Sequence, residues 1–195
     1  EIIAIDVKYK NNTITFNDDE EPEKVNFEKM DTLKPVFKED GTITAANASK
    51  INDGAACLLL MSEYKASELG FKPLARIVSQ SSAAHDPKWF TTAPIEAIKK
   101  VLMKADMEVD DINLWEINEA FAPVAMSVID DYNLDHGKVN INGGAIALGH
   151  PIGASGARIL TTLIHSLNQK EKSIGLATLC IGGGEASALI VERIN

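Results

Sequence analysis

The chain has 195 residues, roughly 1.3 times the ~150 of a usual domain, which allows one sizeable domain with an appendage. Hydrophobic residues at 45% and charged residues at 24% are ordinary globular proportions and exclude a disordered or fibrous chain. With 19 Lys and Arg against 28 Asp and Glu the net charge is −9, so the clustered positive charge of a nucleic-acid footprint is absent. In chain order, Ile3, Ile5, Val7 and Tyr9 alternate as in a strand, Asn11-Asn12 turns the chain, and Thr13–Phe16 returns it. Asp18-Asp19-Glu20-Glu21-Pro22 reads as a solvated loop, and the stretch to Gly41 is polar and irregular. A boundary is placed near residue 51, dividing residues 1–51 from residues 52–195.

Beyond that boundary strands and helices alternate. Ala55–Met61 reads as a buried strand and Ser62–Leu69 as a helix stopped by Gly70. Leu74–Ser79 is a strand, and Thr92, Pro94 and Glu96 open a helix that turns Ile98, Val101 and Leu102 inward. Ile112–Ile117 is a strand, Glu119–Tyr132 a helix and Val139–Ile141 a strand. Gly156–Leu167 carries the apolar stripe Ile159, Leu160, Leu163, Ile164 and Leu167 of an amphipathic helix. Ser173–Cys180 and Ala186–Arg193 are strands joined through Gly182-Gly183-Gly184 and are expected to pair antiparallel. The alternation predicts an α/β fold whose mixed, mostly parallel sheet is covered by helices on both faces.

A chain this long buries about 70% of its unfolded surface and needs no disulfide or metal to fold. Two cysteines cannot form a disulfide framework and fit a reducing compartment. No apolar run reaches the ~18 residues of a membrane span, and the first residues lack the basic start of a signal peptide. The expected location is therefore cytoplasmic, or mitochondrial in a eukaryote. Since the chain begins with Glu1 rather than Met, it is expected to start within a longer protein.

Three segments place a reactive group where a strand runs into a loop, the edge at which open α/β sheets bind ligands. In Glu116-Ile117-Asn118-Glu119-Ala120-Phe121, Asn118 is either a helix cap or an amide that holds a water or a carbonyl oxygen. In Asn142-Gly143-Gly144 through Gly149-His150-Pro151, the proline holds His150 extended between glycine turns at a helix entrance. Such a setting favours function, whereas His85, His136 and His165 read as ordinary core or surface groups. In Cys180-Ile181-Gly182-Gly183-Gly184, a thiol at a strand end faces glycine N–H groups able to stabilise an oxyanion. Cys57, within Ala55–Leu60, reads as a buried, inert cysteine. Ser187 stands where the last glycine of a dinucleotide fingerprint belongs, and no Gly-Lys-Ser/Thr of a phosphate loop follows the glycines near His150. Thiol, imidazole and amide on separate strand ends point to acyl chemistry, with no metal.

These segments resemble the thiolases, in particular their biosynthetic acetyl-CoA acetyltransferase branch. Asn118-Glu119-Ala120-Phe121 is similar to the family's N-E-A-F motif, Asn142 to Pro151 to its N-G-G…G-H-P block, and Cys180–Gly184 to its C-x-G-G-G block. Ala45–Ser49 with Asn52–Ala56 is similar to its N-A-S-x-x-N-D-G-A region. The resemblance implies that residues 1–51 end the CoA-binding loop domain and residues 52–195 form the C-terminal thiolase domain. It implies Claisen condensation of two acetyl-CoA to acetoacetyl-CoA and the reverse thiolysis, with the CoA thioester as substrate and no further cofactor. By motif, Cys180 matches the acid/base cysteine, its pKa tuned toward neutrality by an adjacent imidazole or by backbone dipoles. His150 matches the histidine that activates the nucleophile and donates to the thioester oxygen, Asn118 the holder of a water in the same oxyanion hole, and the Gly182 N–H a donor in a second hole. Ser49 and Ala45 match positions along the pantetheine arm, Phe121 an aromatic beside the acyl end, and Phe90 a variable pocket position. The nucleophilic cysteine of thiolases belongs to the half that this sequence does not cover. The chain is therefore expected to be inactive alone, to require that N-terminal half as a partner, and to form homo-oligomers. The alternatives are a non-catalytic acyl-CoA-binding or assembly module and, ranked lower, a ketoacyl synthase, which usually carries a histidine where Cys180 stands.

Overall fold

The computed structural model describes residues 1–194. An exposed hairpin of β1 (Ile5–Tyr9) and β2 (Asn12–Phe16) precedes the main body, with Ile5 opposite Phe16. Next come α1 (Glu63–Leu69), β3 (Ala75–Ala84), α2 (Ala93–Ala105), β4 (Leu114–Ile117), α3 (Ala122–Tyr132), the short α4 (Ala145–Leu148), α5 (Ser155–Gln169), β5 (Ile174–Cys180) and β6 (Glu185–Arg193). Ser62, expected within the helix, instead caps α1 by accepting from the Lys65 N–H, and Gly70 ends it in the left-handed conformation at the stop that the sequence predicts.

The main sheet has the order β3-β6-β5-β4. Only β4 and β5 run parallel; β5–β6 and β3–β6 are antiparallel. The sheet is thus mixed, but not mostly parallel. Its direction is set by the tight glycine turn that folds β6 back on β5, which leaves β6 free to take β3 antiparallel on its other edge.

Helices cover both faces, as predicted. On one face, Ile98 and Val101 of α2 and Val124 and Val128 of α3 pack on Trp115, Ile117, Leu176 and Ile190. On the other, Ile159, Leu163 and Leu167 of α5 pack on Leu114, Ala177 and Val191. Each fully buried aliphatic side chain contributes roughly 1.5–3 kcal/mol by leaving water. No helix among the described residues is long and apolar enough to cross a membrane.

Three further expectations are corrected. Ala55–Met61 forms no strand: no partner strand lies beside it among the described residues, Leu59 is 78% exposed, and Cys57 is exposed rather than buried. Val139–Ile141 forms a single bridge, Val139 to Trp115, in place of a strand. The cause is Asn140, whose side-chain Oδ1 accepts from the Ile117 N–H at 2.8 Å while its Nδ2 donates to the Ile117 carbonyl at 2.9 Å, substituting for the next ladder residue. The helix expected from Glu119 begins at Ala122, because the stretch before it, ending in the extended Phe121, is held against residues 47–49. Ser49 N–H donates to the Ala120 carbonyl, Ala122 N–H to the Asn47 carbonyl, and Ala48 bridges Phe121.

The turn between β5 and β6 depends on Gly184. It sits at φ +94°, and a Cβ there would meet the His85 carbonyl and lie 3.0 Å from Pro87 Cα. Gly184→Ala is expected to destabilise the chain by about 2 kcal/mol or more, read as a lower urea midpoint. An unchanged midpoint would show that the turn does not need glycine.

Candidate active site

The carboxyl ends of β4 and β5 lie side by side. The Asn118 N–H extends their ladder by donating to the Thr178 carbonyl at 3.0 Å. Asn118 is fully buried and is no helix cap, since α3 starts four residues later, at Ala122. Its Nδ2 stands 3.4 Å from Nε2 of His150. The extended stretch before α1 positions His150. His150 N–H donates to the Lys50 carbonyl at 2.7 Å, Ile51 bridges His150, and the backbone of Gly149 (φ +100°) passes so close to Asn52 that a Cβ would collide with its amide.

Ser155, the first residue of α5, decides the state of the imidazole. Its Oγ donates to the Pro151 carbonyl at 3.1 Å and lies 2.5 Å from Nδ1 of His150. A Ser155 proton given to Pro151 leaves Oγ to accept from Nδ1–H, the arrangement that puts the ring's lone pair on Nε2, facing the Asn118 amide. Burial, and then the Arg158 cation, hold His150 below its ordinary pKa, so the ring is neutral at pH 7.

Cys180 is the last residue of β5, buried with Ala186 and Leu176 on the α2–α3 face of the sheet, where Phe90 packs against the same cluster. Burial raises its thiol pKa. The expectation of a thiol tuned down toward neutrality is therefore corrected, because desolvation penalises the thiolate more than the local backbone contact favours it. No hydrogen bond joins Cys180 to His150; both ring nitrogens face other partners. After Cys180, the N–H groups of Ile181 and Gly184 are used within the turn, on the Glu185 and Ile181 carbonyls. Gly182 has no neighbour within 4 Å of where a Cβ would stand, so its backbone is open to an incoming group.

Phe121 meets Phe90 edge-on at 6.1 Å and Phe37 at 5.8 Å. Phe37, which the sequence reading passes over, thus joins the two predicted aromatics. Ser49 is half-buried beside Ala120, whereas Ala45 is exposed and makes no hydrogen bond to the Asn118–His150 pair. A cleft of about 760 Å³ at the other end of β4, bordered by Asn113, Lys138, Lys170 and Lys172, contains none of the predicted site residues.

Comparison with known proteins places the chain in a family. The model of the thiolase C-terminal domain matches residues 71–193, and that of the thiolase N-terminal domain matches residues 1–64. The chain belongs to the thiolase family. It is 49% identical over 197 aligned positions to an acetyl-CoA acetyltransferase of Escherichia coli, covering all of this chain and 50% of that protein. The crystal structure of the Bacillus anthracis acetyl-CoA acetyltransferase superposes with a TM-score of 0.95 at 47% identity, over 98% of this chain and 49% of that one. Human mitochondrial 3-ketoacyl-CoA thiolase in complex with CoA gives 0.86 at 37% identity, over 97% and 48%. This thiolase chain spans about half the length of the curated relatives it matches.

Around the thiolase motifs the structure adds residues that the motif reading does not use. Glu119 accepts from Asn140 Nδ2 at 2.7 Å and from the Ile146 N–H at 3.2 Å, and it fills the space where a Cβ on Gly144 would stand. It therefore ties the N-E-A-F segment to the N-G-G block. Ser155, five residues past His150 and one before the helix expected from Gly156, carries no local signal of its contact with the imidazole. Glu116 carries its own signal, a carboxylate inside the apolar strand Leu114-Trp115-Glu116-Ile117. It is 2% exposed, and burial, partly offset by Arg158 at 4.0 Å, pushes its carboxyl up to about 8.

Proposed function

We propose that the chain is the C-terminal half of an acetyl-CoA C-acetyltransferase, which condenses two acetyl-CoA to acetoacetyl-CoA and reverses the reaction by thiolysis. The single observation that carries this reading is the contact of Asn118 Nδ2 with a histidine whose lone pair sits on Nε2, at the strand ends where Cys180 stands. The names of the relatives, acetyl-CoA acetyltransferases over the whole chain, support the substrate class. In this reading the 1–51 segment ends a CoA-binding loop domain, Ser49 and Ala45 follow the pantetheine arm, and Phe121 and Phe90 border the acyl end. The CoA thioester is the substrate and no other cofactor takes part.

Cys180 works first as an acid. A thiol held protonated by burial gives its proton to the departing CoA thiolate as the acyl group passes to the nucleophilic cysteine. The Cys180 thiolate that remains takes an α-proton from the second acetyl-CoA. The resulting enolate attacks the acyl-cysteine carbonyl, and the cysteine thiolate leaves. The bare Nε2 of His150 takes the proton of the nucleophilic cysteine and returns it when that thiolate leaves; while it holds the proton, Nε2–H and the Asn118 amide donate toward the thioester oxygen on which enolate charge develops, and the Gly182 N–H serves the tetrahedral oxyanion.

The nucleophile comes from outside these 195 residues: Cys57 lies exposed in an irregular stretch, and Cys180 has another task. The partners are therefore the cysteine-bearing thiolase half and further copies of the enzyme. Thiolysis of acetoacetyl-CoA by the isolated chain should be undetectable, and should appear when that half is supplied. A robust rate from the purified chain alone would overturn the split. Failure of both to turn over, with acyl-CoA still bound, would favour a non-catalytic acyl-CoA-binding module.

A further inference from the structure

Among the described residues, four buried side-chain atoms lack a hydrogen-bond partner: Oε2 of Glu116, Oδ1 of Asn118, and Nε and Nη1 of Arg158. Arg158 lies near Glu116 and acts on His150, the neighbour of Asn118, which groups the four atoms in one region. Along β4, Trp115 and Ile117 face α2 and α3, while Leu114 faces α5, so alternation carries Glu116 to the α5 side with Leu114. There its carboxyl group meets Arg158 of α5 at 4.0 Å, too far for a direct hydrogen bond. Two residues further on, the other end of the Asn118 amide faces His150, which Ser155 of the same helix holds. Ser155 and Arg158 are three apart on α5 and so share one face of it. The two elements thus face each other in two rungs, Asn118–His150–Ser155 at the strand end and Glu116–Arg158 one step below.

The donors and acceptors left over in this patch are complementary. Arg158 has two N–H groups without acceptors, and Glu116 and Asn118 each have one oxygen without a donor. A buried polar atom left unpaired costs about 1–3 kcal/mol, which favours any small shift that brings these donors and acceptors together. We propose that Arg158, held by Glu116, is the positioning residue that orients the Asn118 amide, drawing Oδ1 to the guanidinium and so presenting Nδ2 to Nε2 of His150. The orientation matters because the amide has two faces of opposite sense. With Nδ2 outward, Asn118 is a donor toward the thioester oxygen and the lone pair of His150 stays on Nε2. With Oδ1 outward, the imidazole must carry its proton on Nε2 to meet it, Ser155 must turn its hydroxyl onto Nδ1, and the cleft loses a donor. Arg158 is also the charged group that acts on His150, while Arg158, Glu1 and Glu119 are those that act on Glu116.

This inference rests on the reading of the cleft as a thioester-oxygen site, but its test does not use turnover. Ring-nitrogen NMR of the chain labelled with ¹⁵N-histidine reports directly which nitrogen carries the proton. The wild type is expected to show His150 protonated on Nδ1, with Nε2 bare. Arg158→Met, which keeps the stem and removes the donors, is expected to move the proton onto Nε2 and to raise the midpoint of the His150 titration toward ~6.5. Arg158→Lys, which keeps a cation and a donor, is expected to return the ring toward the wild-type state. A wild-type His150 protonated on Nε2 would overturn the proposal without any variant. An Arg158→Met chain that stays folded and keeps the Nδ1 proton would overturn it too. Loss of thiolase activity with the Nδ1 proton in place would count against the functional reading alone.

Discussion

Replacing Cys180 by alanine, in the enzyme completed by its cysteine-bearing half, is expected to slow exchange of the acetyl-CoA α-protons with solvent by about 10²–10⁴-fold, the usual worth of a positioned base. Acylation of the nucleophilic cysteine should persist at a measurable rate. The two steps separate because only the second needs a group that accepts a proton from carbon. Cys180 is suited to wait for that moment: buried on the α2–α3 face beside Phe90, it remains a thiol at rest and becomes a base after giving its proton away. Deuterium uptake into acetyl-CoA, followed by mass spectrometry, measures the first quantity, and trapping of the acyl-enzyme measures the second. Undiminished exchange in Cys180→Ala would remove Cys180 from the base role.

Replacing Glu116 by glutamine is expected to flatten the dependence of stability on pH. An ordinary carboxyl ionises at 4.5, whereas Glu116 in the folded chain holds its proton to about 8. Below 4.5 both folded and unfolded chains carry the proton, and this residue contributes no pH dependence. Between 4.5 and 8 the folded chain holds a proton that the unfolded chain has lost, so stability falls as pH rises, by up to about 5 kcal/mol across the window. Above 8 both forms are ionised and the loss is complete. Glutamine never ionises, so the variant escapes this loss and gains on the wild type from pH 5 to pH 8.5. Urea unfolding at those two values decides the matter, and parallel behaviour of the two chains would show that Glu116 titrates as an exposed carboxyl. The same substitution keeps a side-chain carbonyl opposite Arg158, so His150 should retain its Nδ1 proton, which separates the charge of Glu116 from its service as an acceptor.

Both predictions concern residues that local reasoning treats differently. Cys180 stood out because a thiol followed by three glycines at the end of an apolar strand has no packing purpose. His150 stood out because Pro151 and the glycines hold it extended, and Asn118 because it follows a strand; the two lie 3.4 Å apart. Glu116 was legible only as an oddity within Leu114-Trp115-Glu116-Ile117, since nothing near it in sequence names Arg158, 42 positions away, as its neighbour. Ala55–Met61 shows the converse error. Its apolar composition promised a buried strand, but burial needs a partner, and Leu59 and Leu60 lie exposed without one among the described residues.

Features set by neighbours within a few positions were already written in the residue order. The stripe Ile159, Leu163, Leu167 makes α5 amphipathic, Ser62 and Gly70 bound α1, and the order of the Asn118, His150 and Cys180 motifs names the thiolase family. Contacts between distant segments had to be folded to be known. The direction of each strand pairing, the side chain of Asn140 standing in for a strand, the late start of α3 and the proton of His150 on Nδ1 all depend on groups brought together from far along the chain. Periodicity and capping act over one or two turns of backbone, whereas strand partners, buried charges and tautomers are settled by whichever remote donor or acceptor packing leaves within reach.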